Sequence, residues 1–306
     1  MKKLIKSASE PADTLKVSAW EKVKPYLIIS PAMIIILIFT VYPVVCEVLL
    51  SFTNMNLIKK GTKFVGLSNY KKLLSDKLFS QVVGNTVTYV VLTVVLTLGL
   101  ALLLAFWITS DTRLNIWVRT VMFLPHITAL LSVSMVFMWL MDPEIGVFNY
   151  VLKALGFKGL RWLESSKTSM ISIVIVSVWK SVGYYALVLL SAIKAIPKEL
   201  YEAADLDNSS KIKTFFKITI PMISPTLFFL LVTLTIFSFN VFDVVNTMTL
   251  GGPVNSTNVL VFFVHQNAFS YMKVGYASAA GTVLLLMVGL LTIVYFRIME
   301  KRVYYK

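Results

Sequence analysis

The chain has 306 residues, 57% of them hydrophobic and only 14% charged, with a mean hydropathy of +0.79. A soluble domain of this size does not carry so much apolar surface, so the composition predicts a polytopic helical membrane protein. The formal net charge of +14 does not indicate a nucleic-acid binder, because the lysines lie between apolar runs rather than along one basic face. That arrangement suits anionic lipid headgroups and the control of topology. Cys46 is the single cysteine, which excludes an intramolecular disulfide and a cysteine metal site. With His126 and His265 as the two histidines, no catalytic or metal cluster is expected. No GxxxxGK(S/T) loop occurs, so ATP hydrolysis is not expected in this chain.

In chain order, residues 1–25 lack the continuous apolar core of a signal peptide and read as a cytoplasmic tail, partly disordered up to Trp20. Six apolar spans are predicted at about 27–52, 83–108, 118–141, 169–193, 222–248 and 276–299. Pro31, Pro43 and Pro125 fall at span ends or kinks, where neighbouring helices can satisfy freed carbonyls. With the N-terminus inside, the cytoplasmic segments carry seventeen of the lysines and arginines and the external loops eleven, which favours N-in and C-in. The first external loop, with Lys59, Lys60 and Lys63, dissents.

This topology places one long polar segment, 197–221, in the cytoplasm between spans four and five. Pro197 can open a helix over KELYEAADLD, with Leu200, Ala203, Ala204 and Leu206 on its apolar side. A turn is predicted at Asp207-Asn208-Ser209 and a second short helix from Lys211 to Ile218, carrying Phe215 and Phe216, before Pro221 opens the next span. A polar helical pair between two spans needs a cytoplasmic partner. Glu202-Ala203-Ala204, Asn208 three residues later, and Ile218-Thr219-Ile220-Pro221 after nine more resemble the EAA loop of ABC-importer permeases, with the family's spacing at every interval. Asn208 stands where the family has Gly, and a turn needing positive φ accepts Asn next most readily. Ile220 replaces the usual Leu.

Other segments resemble carbohydrate-importer permeases in the same order: FVGLSNYKKLLSD (64–76), Asn85-Thr86, RTVMFLPH (119–126), WLMDPEIGVFN (139–149) and TLGGPVNSTNVL (249–260). From about Tyr26 to the C-terminus the chain is similar to ABC permeases of the maltose-permease and glycerol-phosphate-permease kind, the first of two non-identical permeases. The resemblance implies an all-α membrane fold of six transmembrane helices, the type I ABC importer permease, multi-pass in the bacterial inner membrane. It implies no enzyme activity and no cofactor here, with ATP and magnesium held by a partner. Partners would be a second permease subunit, two ATP-binding subunits and an extracellular or periplasmic solute-binding protein. The 198–221 loop would be the ATPase-coupling element, through Glu202, Ala203, Ala204, Asp207, Asn208 and Pro221.

A polar solute needs polar side chains near the midplane, facing a cavity. Lys180 lies midway through span four with Ser181, Tyr184 and Tyr185 beside it, and a lipid-facing lysine there costs about 2.5–3.5 kcal/mol, so it must face inward. In span five Thr235, Ser238 and Phe242 share a face. Registering the chain on the maltose permease by KAIP (194–197) and the GGP turn puts Lys180, Ser181, Tyr184, Leu234, Ser238 and Val241 at sugar-contacting positions. Leu234 and Val241 are apolar where that permease is polar, and Thr235, Asn240 and Asp243 stand ready to compensate. Each hydroxyl also fits helix packing, and Lys180 also fits a buried structural ion pair, with an acidic residue of the partner permease as the candidate. The expected cargo is a sugar or oligosaccharide, with glycerol 3-phosphate, a glycerophosphodiester or an acidic sugar as the alternative; RIMEKRVYYK at the C-terminus is reminiscent of the glycerol-phosphate branch. An ion-coupled secondary transporter would show hydropathy repeats and several intramembrane carboxylates, and a membrane enzyme a polar catalytic cluster; neither pattern is visible.

Overall fold

A computed structural model describes residues 19–58 and 61–299. The tail up to residue 18, Lys59 and Lys60, and the C-terminal run from Glu300 lie outside the described residues. The chain forms two compact units, residues 1–49 and 50–306.

The first unit holds α1 (Ala19–Ile36), a widened turn Leu37–Val41 and most of α2 (Tyr42–Ser51). Val23–Ser51 is apolar enough over 29 residues to cross a membrane. The widening falls where Pro43 crowds the carbonyl of Phe39, four residues back.

The second unit is all-helical apart from a single antiparallel bridge between Thr53 and Phe64 among the described residues. It runs through α3 (Ser68–Ser75), α4 (Lys77–Trp107), α5 (Arg113–Ile127), α6 (Leu130–Leu140), α7 (Val147–Ala154), α8 (Ser169–Lys194), α9 (Lys198–Leu206), α10 (Lys211–Thr214), α11 (Ile220–Met222), α12 (Ser224–Phe239), α13 (Asp243–Met248), α14 (Leu260–His265) and α15 (Val274–Met299). The most extensive pairing is α4 on α8. On α4 the buried side is rich in small residues, Thr86, Thr93, Thr97, Ala101 and Ala105, which let the helices approach closely. The Tyr89 hydroxyl donates to Ser177 Oγ across this seam at 2.7 Å.

Five helices are long and apolar enough to cross a membrane among the described residues, and a sixth crossing needs α5 and α6 taken together. They do not form the straight third span expected over 118–141. The two are bent by 102° at Thr128 and Ala129, both of which have extended backbone. Pro125 removes one amide from the last turn of α5, and the Thr128 hydroxyl donates back to the Pro125 carbonyl at 2.7 Å. The fifth span is also interrupted, between α12 and α13 at Asn240 to Phe242, where Asn240 Nδ2 donates to the Ile236 carbonyl at 2.9 Å.

At the end of the unit where α4 and α8 begin, loops from distant parts of the sequence interlock. Asn69 Nδ2 donates to the carbonyls of Ser51, Thr53 and Gly275. Asn85 Nδ2 donates to the carbonyls of Asn255 and Asn258, and Thr86 Oγ1 accepts the Leu260 amide, so the Asn85-Thr86 pair holds the GGP loop.

Gly183 of α8 faces the backbone of α5. A Cβ there would stand 1.8 Å from the Met122 carbonyl oxygen, so only glycine permits this approach. Gly183→Ala is expected to push α5 off α8 at about 1–3 kcal/mol, read as a lower melting temperature of the purified protein. An unchanged melting temperature would show that the two helices do not need to touch there.

Candidate functional site

Because Gly183 brings α5 against α8, the side chain one turn earlier, Lys180, reaches the break after α5. Its Nζ donates to the carbonyls of Thr128 at 2.7 Å, His126 at 3.0 Å and Pro125 at 3.3 Å. Carbonyls in the last turn of a helix lack intrahelical partners, and a cation favours the negative end of the helix dipole. An ammonium has three donors, and all three are engaged here. Lys180 makes no ion pair among the described residues; its partner is the broken third span.

Near the middle of α4, α8 and α12 lies a cavity of about 450 Å³. Lys180, Ser181, Tyr184, Leu234, Ser238, Val241 and Phe242 all line it, as do Asn240 and Asp243. Thr235 does not: its hydroxyl donates to the Leu231 carbonyl at 2.7 Å and lies 3.4 Å from the Tyr295 hydroxyl, on the side of α15. The wall also includes Tyr89 and Thr93 from α4, Ser177 and Tyr185 from α8, and His126 and Leu130 from the two sides of the break. Tyr89 and Thr93, four residues apart in span two, carry a helical-face signal that sequence reasoning passed over. His126 carried none, because an unbroken third span does not bring it here. Its ring stacks on Tyr184 with centroids 4.4 Å apart and planes 11° from parallel. Phe242 packs against His265 at 4.8 Å. Ser238 is 5% exposed, and its hydroxyl has no hydrogen-bond partner among the described residues. The wall thus combines aromatic faces, hydroxyls, an amide and one charge of each sign, the chemistry that holds a polar organic solute.

The 198–221 loop is the second element. α9 ends in a Schellman turn: the Asn208 amide donates to the Asp205 carbonyl at 3.0 Å and the Ser209 amide to the Ala204 carbonyl at 2.9 Å, with Asn208 at φ 49°. Glu202, Ala203, Asp207 and Asn208 are exposed, while Ala204 is buried. Ser210 caps α10 through the Lys213 amide. The second helix is shorter than expected, since a widened turn takes over at Phe215–Thr219 where Pro221 crowds the Lys217 carbonyl. Phe215 packs edge-on against Phe106 of α4 at 5.1 Å, and the Tyr201 hydroxyl lies 3.1 Å from Thr219 Oγ1. Leu206, Ile212 and Phe216 remain exposed, an apolar surface beside the polar residues of α9.

Close by, Arg119 donates to the carbonyls of Ile108 and Ser110 at the end of α4 and to Asp111 Oδ1 at 2.9 Å, and Lys194 donates to the same oxygen. Hydrogen bonds from Lys194 and then Arg119 hold the Asp111 carboxyl below the usual carboxylate range. What this node adds to stability is present above the ordinary carboxylate pKa and is lost as pH falls through the depressed one.

Residues 97–305 match the family described as binding-protein-dependent transport system inner membrane component. The chain belongs to this family: it is a multi-pass inner-membrane ABC permease subunit, a transporter component rather than an enzyme, and it works with binding-protein, ATPase and permease partners. It is 34% identical over 277 residues to the sulfoquinovosyl glycerol transport system permease protein of Agrobacterium fabrum, covering 90% of each chain. To the sn-glycerol-3-phosphate transport system permease protein of the same organism it is 33% identical over 287 residues, covering 93% of this chain and 97% of that one. A chain of a bacterial alginate ABC transporter, solved with an alginate pentasaccharide-bound periplasmic protein, superposes with a TM-score of 0.82 at 22% identity, over 92% of this chain and 97% of that one; the two share a fold.

Lys180→Met keeps the bulk of the side chain but removes its donors. The expected loss is about 1–3 kcal/mol, seen as a lower melting temperature without any solute present. At Asn208 the left-handed backbone makes Asn208→Gly neutral, whereas Asn208→Val strains it by about 1–2 kcal/mol. The melting temperature of each purified variant reads the difference.

Proposed function

We propose that this chain is one of two non-identical permeases of an ATP-driven, binding-protein-dependent importer for a sugar or oligosaccharide, oriented N-in and C-in. The observation that carries the substrate class is the mid-span cavity, in which the His126–Tyr184 stack and Phe242 offer faces for a sugar ring while Ser181, Ser238 and Asn240 offer hydrogen bonds to its hydroxyls. The Ser238 hydroxyl, buried and unpartnered among the described residues, is a donor and acceptor that serves a hydroxylated solute once its side chain turns into the cavity. In this reading Lys180, Ser181, Tyr184, Leu234, Ser238, Val241 and Phe242 face the solute, and Thr235 supports the wall from behind. Relatives named for sulfoquinovosyl glycerol and sn-glycerol-3-phosphate support a hydroxylated solute built on a sugar or glycerol, and both of those named solutes are anionic.

The 198–221 loop is the coupling element. Two ATP-binding subunits hold the ATP and magnesium; Glu202 pairs with a basic group of the docked subunit, the small Ala203 admits close approach, and Asp207, Asn208 and Pro221 set the turn and the return into the membrane. Closure of the ATPase pair draws the loop inward and tips the spans toward the outward-open state, and hydrolysis returns them.

A second reading, in which the solute is glycerol 3-phosphate, a glycerophosphodiester or an acidic sugar, is favoured by the cation of Lys180, which faces the cavity without a carboxylate bonded to it among the described residues. Titration of the system's solute-binding protein against neutral oligosaccharides, uronates and glycerol phosphates, with transport measured for Ser238→Ala and Lys180→Arg, separates the two. The first reading expects a neutral sugar to bind and Ser238→Ala to raise the transport KM about five- to tenfold, one lost hydrogen bond. Binding of anions alone overturns it in favour of the second.

A further inference from the structure

Beside the 198–221 loop is a cavity of about 650 Å³ lined by two unlike sets of side chains. The apolar set is Phe106 and Trp107 at the end of α4 and Ile193 and Ile196 at the end of α8. Trp107 is 61% exposed and Phe106 45% exposed, where the long apolar run of α4 gives way to Ser110 and Asp111. Aromatic side chains at such a boundary mark the membrane–water interface. The polar set includes Lys194, Lys198 and Lys211, and Tyr201 also lines the cavity.

The charge is one-sided. Asp111 is the single carboxylate in the lining, and it already accepts from Lys194 and Arg119. Lys198 and Lys211 make no ion pair among the described residues, and the carboxylates of α9, Glu199, Glu202 and Asp205, lie outside the lining. Two ammonium groups that make no ion pair among the described residues therefore share a pocket lining with the exposed aromatic side chains at the end of α4.

We propose that this cavity binds one anionic phospholipid of the cytoplasmic leaflet, its phosphate between Lys198 and Lys211 and its acyl chains along Phe106 and Trp107. A free phosphate satisfies the lysines equally well but leaves the exposed Phe106 and Trp107 side chains unused, which is why a lipid is the better fit. The site bridges the ends of α4 and α8 to α9 and α10, and Phe215 on Phe106 ties the same loop to the same helix end. A lipid seated here steadies the loop that the ATPase subunit docks on, so anionic lipid raises solute-stimulated ATP hydrolysis. This consequence rests on the cytoplasmic placement of the loop proposed above.

The test uses the assembled transporter in phosphatidylcholine nanodiscs with increasing phosphatidylglycerol, reading bound phosphatidylglycerol by native mass spectrometry and ATP hydrolysis with solute-loaded binding protein. In Lys198→Gln/Lys211→Gln the bound lipid is expected to weaken about tenfold, and the ATPase stimulation to shift to correspondingly higher phosphatidylglycerol. Lys213→Gln/Lys217→Gln, which removes two charges from the same loop outside the cavity, is expected to leave the bound lipid unchanged. Equal losses in the two double variants would overturn the site in favour of general surface attraction, and competition by millimolar inorganic phosphate would overturn the lipid in favour of a free anion. Failure of the loop's placement is seen separately, because the ATPase subunit would then not assemble with the chain before any lipid is added.

Discussion

The Lys180 ammonium on the carbonyls of Pro125, His126 and Thr128 is the contact on which the rest of the membrane unit depends. A charged side chain midway through a span and a broken helix that strands its carbonyls are each unfavourable in a bilayer. Brought together, each satisfies the other. Gly183 makes the meeting possible by letting the backbone of α5 press against α8 where any Cβ would collide with Met122. The break in turn shapes the cavity, since His126 stands on one side of it and Leu130 on the other, and the stacked His126–Tyr184 pair forms part of the wall.

The same device recurs at the far end of α4. There the Arg119 guanidinium, rather than an ammonium, takes up the carbonyls of Ile108 and Ser110 and carries Asp111 with it, and Lys194 closes the node from the end of α8. Capping a helix C-terminus with a side chain from a neighbouring helix uses the cation's donors and the helix dipole together. Phe215 on Phe106 joins the polar loop to this node. The helices that the loop grips at their ends, α4 and α8, are those whose middles line the cavity, so a short packed route joins the loop to the cavity.

At the opposite end, Asn85 and Thr86 spend their side chains on the backbone of the GGP loop, and Asn69 holds three carbonyls from the loops before α3 and the start of α15. Segments that look like separate signatures along the sequence are single interlocked structures in space. Asparagine serves because one amide group can bond two or three backbone carbonyls that no helix or sheet satisfies.

Hydrophobic runs and turn chemistry belong to neighbouring residues, so the sequence by itself determined the apolar spans, the polar 198–221 loop, and the left-handed turn that Asn208 supplies. It also placed the cavity-lining side of span four, because Lys180, Ser181 and Tyr184 share a short stretch of one helix. The 102° break in span three, the carbonyl partners of Lys180, the arrival of His126 at the cavity and the turning of Thr235 toward Tyr295 were decided by the tertiary structure alone. Each of these pairs residues far apart in the chain, and helical periodicity says which face a side chain occupies but not which neighbour that face will meet.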